Sequence, residues 1–79
     1  MTNLEKYTKV FMDTFGITEE QTKGLEYRSI KEWDSVGHMQ LITALEDAFG
    51  IMMDTDDIID LSSFEKGKEI LAKYEVEIK

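Results

Sequence analysis

Apolar residues recur at helical spacing in three stretches of the chain. Leu4, Tyr7, Phe11 and Phe15 stand three or four apart, with Val10 widening the stripe, which predicts an amphipathic helix over Leu4–Phe15. Thr2 or Asn3 can cap its start and Gly16 its end. The clearest element is Ser35–Phe49. There Val36, Met39, Ile42, Leu45 and Phe49 form one stripe, Leu41 and Ala48 flank it, Asp34 is the N-cap and Gly50 the stop. Ser62 and Glu65 have capping-box spacing and open a last helix to about Tyr74, with Phe64, Gly67, Ile70 or Leu71, and Tyr74 facing inward. Before it, the acids of Asp54–Asp60 suit a helix N-terminus and predict one short helix.

Residues 17–34 form a long connection. Thr18 and Gln21 again have capping-box spacing, which predicts one helical turn. Leu25, Tyr27, Ile30 and the closing Trp33 are apolar anchors, so the rest of the connection is expected to pack by its own side chains. Gly37, in the first turn of the second helix, costs about 1 kcal/mol against Ala. Its presence asks for a reason, and close approach of another group to the backbone there is one candidate. The tail Glu75–Lys79 alternates apolar and polar residues without a partner strand. The pattern as a whole predicts one all-α domain over residues 1–79: a small four-helix bundle of three main helices and a short third one, with a long loop between helices 1 and 2.

A chain of 79 residues makes a thin core, burying only about 60–65% of its unfolded surface. It has no Cys, so neither disulfides nor cysteine-ligated zinc support it. A net charge of −8 argues against nucleic acid and against an anionic membrane surface. No stretch resembles a signal peptide or a span of about 20 apolar residues, which predicts no membrane insertion and a cytoplasmic monomer. The charge is segregated. Glu32, Asp34, Glu46, Asp47, Asp54, Asp56, Asp57, Asp60 and Glu65 lie in a segment with no Lys or Arg. Such a segment is either a solvated face or a docking surface for basic partners.

Three constellations bear on chemistry. Asp54, Asp56 and Glu65 fall at positions 1, 3 and 12 of an EF-hand loop, but Ile58 and Ile59 occupy positions 5 and 6, where a ligand and a Gly belong. No metal site is expected, only weak association of divalent cations. Trp33-Asp34-Ser35-Val36-Gly37 half resembles a nucleophile elbow, with His38 one turn after Ser35. The elbow lacks its first Gly and a sheet to hold it, and no acid is placed to orient His38, so His38 is expected as a surface or boundary side chain of its helix. Asp34-Ser35 remains. It is a plain capping pair, or a serine placed where helix N–H groups and the dipole favour a phosphate ester.

Trp33-Asp34-Ser35-Val36-Gly37-His38-Met39, followed by an apolar-striped acidic helix ending Glu46-Asp47-Ala48-Phe49-Gly50-Ile51, resembles an acyl carrier protein over nearly the whole chain. The resemblance implies that Ser35 is the covalent site for 4′-phosphopantetheine, placed there from coenzyme A by a phosphopantetheinyl transferase. It implies that Asp34 is the flanking residue such a transferase recognises. Val36, Met39, Glu46, Asp47, Asp54, Asp56 and Asp57 would meet partner enzymes with basic docking patches. Met39, Ile42 and Leu45 are read mainly as core. Acyl or aminoacyl groups would be held as thioesters, and the chain itself would be a carrier rather than an enzyme. Housekeeping fatty-acid carriers usually follow Asp-Ser-Leu with another acid, where this chain has Gly37-His38. The implied pathway is therefore a specialised one (polyketide-like, peptide-synthetase-like or cell-envelope) or fatty acid synthesis. The rival classes are an unmodified acidic helical adaptor and a weak divalent-cation-binding protein.

Overall fold

The computed structural model describes residues 1–79. Five helices follow one another: α1 (Asn3–Phe15), α2 (Glu19–Thr22), α3 (Ser35–Phe49), α4 (Thr55–Asp60) and α5 (Phe64–Ala72). The small all-helical bundle is as expected, with the turn after α1 closing as a helix of its own. Local chemistry sets most of the ends. Thr2 and Glu5 form a capping box on α1, and Thr18 and Gln21 form one on α2. Asp34 caps α3 by accepting from Gly37 N at 2.8 Å. Gly16 and Gly50 end α1 and α3 in the left-handed conformation.

Two boundaries differ from expectation. The cap of α5 is Ser63, which accepts from Lys66 N at 2.9 Å, and not Ser62. Ser62 is held elsewhere: its carbonyl accepts from Tyr27 N at 2.8 Å, while Phe64 N donates to the Leu25 carbonyl at 2.9 Å. These bonds, around an isolated bridge between Glu26 and Ser63, pin the long loop to the connection before α5. The other end of α5 stops at Ala72, short of Tyr74. The chain then turns through Glu75 at φ +64°, and Val76 N bonds back to the Leu71 carbonyl. The tail pairs with no strand, as expected, and is held by the start of α1 instead. The Lys79 carbonyl accepts from Leu4 N at 3.1 Å and the Glu77 carbonyl from Asn3 Nδ2 at 3.0 Å, with Val76 and Ile78 against the core.

The core is aromatic at its centre. Tyr7, Phe11, Phe15, Trp33 and Phe64 are all buried, with ring centroids 4.9–6.1 Å apart in tilted, edge-on or stacked pairs. Trp33 stacks on Phe15 at 5.3 Å and meets Phe11 edge-on at 5.6 Å, so a loop residue sits where a helix residue would usually be. Leu41, Ile42 and Leu45 complete the core from α3. Val36 and Met39 do not join them. They are 67% and 52% exposed, against the reading of both as part of an inward stripe and of Met39 as core. The cause is Gly37. It packs against the Glu32 carbonyl and Phe15, which turns the Gly37–Leu41–Leu45 face inward. At about 100° per residue, Val36 and Met39 then point away.

Candidate functional site

Ser35 is the first residue of α3 and is exposed. The first bond of the helix runs from His38 N to the Asp34 carbonyl at 2.8 Å. The N–H groups of Ser35 and Val36 precede it and have no intrahelical acceptor. The Asp34 side chain turns inward onto Gly37 N, so the serine hydroxyl keeps an open side. Its one side-chain partner is the phenol of Tyr27, 3.3 Å from Ser35 Oγ. The Arg28 guanidinium lies over the Tyr27 ring, 5.5 Å from its centroid. The bond to Ser35, and then Arg28, hold the Tyr27 phenol below its ordinary pKa. Arg28 itself has φ +67°, a conformation most side chains avoid. A tight turn holds it, in which Ser29 Oγ bonds both Glu26 backbone groups and Arg28 N reaches the Trp33 carbonyl at 3.0 Å.

Tyr27 and Arg28 have no local signal in the sequence that ties them to Ser35. They come to it through the fold of the loop. Ser35 and His38 do not form a nucleophile–base pair. The His38 ring is half-buried, as a boundary residue, and both of its nitrogens are engaged by Trp33 Nε1 and the Ile58 carbonyl.

The residues read as partner-binding divide into two groups. Val36, Met39, Asp47, Asp54 and Asp56 are exposed. Met39, Gln40, Thr43, Ala44 and Asp47 line a shallow groove along the outer face of α3. Glu46 and Asp57 have partners within the fold. Glu46 is half-buried and its Oε2 accepts from Met53 N at 2.9 Å, holding the turn after α3. Asp57 is only 6% exposed. One of its carboxylate oxygens takes the Lys73 ammonium and the other the Tyr74 hydroxyl. Tyr74 in turn accepts from Asp54 N at 2.8 Å, so a single carboxylate ties α4 to the segment after α5. Nor does the acidic segment stay without bases. Lys66 and Lys68 approach Asp60 and Glu65 at 3.9 and 3.2 Å. Nowhere do three or more His, Asp or Glu side chains converge as a set of metal ligands.

The bonds to Lys73 and then Tyr74 hold the Asp57 carboxyl below the usual carboxylate range. The stabilisation is therefore complete above the unfolded-state value of about 3.9 and is lost as pH falls through the lower folded value. Asp57→Asn should lower Tm at pH 7. The gap between variant and parent should close in melts recorded progressively toward pH 2. A gap that stays constant with pH would remove Asp57 from the acid response.

No helix is long and apolar enough to cross a membrane. Set against protein-family models, curated proteins and solved structures, the chain matches none of them.

Proposed function

We propose that this chain is a carrier protein that holds acyl or aminoacyl groups as thioesters on a 4′-phosphopantetheine arm attached to Ser35. One observation carries the reading: an exposed serine hydroxyl at the first position of a long helix, directly behind an aspartate cap. The residues present fit the group. The hydroxyl is free on one side, the N–H groups of the first turn favour a phosphodiester, and the Tyr27 phenol stands beside it with Arg28 over the Tyr27 ring. The arm supplies the terminal thiol that a chain without Cys lacks. The protein's own residues position it. Asp34 fixes the helix start, and Trp33 anchors the loop end on the aromatic core.

The test is intact-mass measurement after incubation with coenzyme A and a broad-specificity phosphopantetheinyl transferase. The parent should gain one phosphopantetheine and Ser35→Ala none. A parent that never gains mass, or a labelled Ser35→Ala, refutes the carrier reading and leaves the exposed acids as an adaptor surface.

On this reading the partners that load and process the cargo dock through Val36, Met39, Asp47, Asp54 and Asp56. Asp47→Lys combined with Asp54→Lys and Asp56→Lys should slow loading by the transferase several-fold at low salt and flatten its dependence on ionic strength. Glu46→Gln should instead lower Tm, because its carboxylate holds Met53 N. Loading rates of the triple variant equal to the parent's at every ionic strength would move the docking surface elsewhere.

A further inference from the structure

His38 is the single histidine of the chain, and the carrier reading gives it no task. Its ring nitrogens meet partners of opposite kinds. Nδ1 lies 2.9 Å from Trp33 Nε1, and Nε2 lies 2.7 Å from the Ile58 carbonyl oxygen. An indole N–H only donates and a carbonyl oxygen only accepts. Nδ1 therefore keeps its lone pair and Nε2 carries the proton, so the partners assign a neutral ring. The three residues belong to three parts of the fold: the end of the long loop, α3 and α4. We infer that His38 is a proton-operated latch that ties the end of the loop, and with it the Ser35 helix start, to α4.

A second proton goes to Nδ1, where it faces the Trp33 N–H donor to donor. Flipping the ring does not help, because an imidazolium presents an N–H on both sides. Trp33 is fully buried, so its indole N–H finds no water in place once His38 stops accepting. The conflict is relieved only by separating the ring from Trp33. Movement there reaches Ser35 along two contacts. Trp33 is joined to it through Asp34, and the His38 ring lies edge-on to Tyr27, with centroids 5.5 Å apart, whose phenol bonds Ser35 Oγ.

No carboxylate bonds either nitrogen of the ring. On the loop, Arg28 lies over the Tyr27 ring and Glu32 is exposed. On α3, the Asp34 carboxylate is taken by Gly37 N. On α4, Asp57 and Asp60 pair with Lys73 and Lys66. A cleft of about 260 Å³ lined by Tyr27, His38, Ile59, Leu61 and Ser62 gives water a route to the ring.

The latch does not depend on what Ser35 carries, so its test is separate from the labelling experiment. The full-length chain is labelled with ¹⁵N and followed as the pH is lowered stepwise from about 8. Long-range ¹H–¹⁵N spectra should show the Nε2–H form at the alkaline end. The Trp33 indole signal, the amides of Tyr27, Ser35 and Ile58, and the emission of the single tryptophan should all move with the His38 titration. His38→Gln retains one acceptor and one donor, and should hold those signals flat over the same range. An Nδ1–H ring at alkaline pH, or a His38 titration that leaves Trp33 and Ile58 in place, would overturn the latch. So would the same transition in His38→Gln. The parent spectra decide the question even if the variant does not fold.

Discussion

Trp33→Ala is expected to remove cooperative unfolding near ambient temperature. Trp33 has no exposed surface, stacks on Phe15, meets Phe11 edge-on and gives its indole N–H to His38. Truncating a buried Trp to Ala costs about 3–5 kcal/mol. A chain of this length has roughly 4–12 kcal/mol of stability in all, at 0.05–0.15 kcal/mol per residue. The change therefore consumes much of the margin and should lower Tm by more than about 10 °C. It also leaves His38 Nδ1 without its donor. Because the residue sits in a loop, a simple hydropathy argument would expect only a modest effect. Thermal melts followed by circular dichroism decide the matter, and a Tm within a few degrees of the parent would show that the loop does not supply the core.

Gly37→Ala should also lower Tm, although it raises helix propensity. Ala is better than Gly in a helix by about 1 kcal/mol. A Cβ on Gly37 would lie 2.0 Å from the Glu32 carbonyl oxygen and 3.3 Å from Phe15 Cε1. The first obstacle is backbone, and it cannot swing away. Glu32 immediately precedes Trp33, whose N–H is bonded to the Ile30 carbonyl, so shifting it drags the tryptophan off its stack. Overpacking costs about 1–3 kcal/mol and more where the neighbour is rigid, which outweighs the propensity gain. The control is Thr43→Ala on the exposed face of α3, which should be neutral or raise Tm slightly. If Gly37→Ala behaves like Thr43→Ala, the close approach of loop and helix is wrong.

The close approach at Gly37 is half legible from the sequence: a glycine in a first helical turn is costly and demands a reason, but only the structure shows that the reason is the Glu32 carbonyl. The caps of α1, α2 and α3 are legible for a local cause: Thr2, Thr18 and Asp34 each reach a backbone N–H three residues on. What escapes the sequence is decided by pairs far apart in it. Ser62 and Ser63 are equal as caps until Tyr27 takes the Ser62 carbonyl. Asp57 reads as one more surface acid until Lys73 and Tyr74 close over it. The face of α3 is ambiguous because apolar residues occupy both Val36–Met39 and Leu41–Leu45, and only the contact at Gly37 selects the second. At the candidate site, Asp34 and Ser35 stand out by their place at a helix start. Tyr27 owes its position to the loop and carries no spacing that links it to Ser35, whereas His38 stands one turn after Ser35 but turns its ring to Trp33 and Ile58.

The backbone pairing of Leu25 with Phe64 and of Tyr27 with Ser62 has a consequence for the order of assembly. Helices α1 and α3 need only short-range contacts to form, but the loop that delivers Trp33, Tyr27 and Ser35 is anchored on residues near the far end of the chain. Closing so long a loop costs entropy before any bond repays it. Docking of the 25–29 turn beside Ser35 is thus expected late in folding, after α1 and α3 have formed. Substitutions in the 25–29 turn should then speed unfolding while leaving the folding rate almost unchanged.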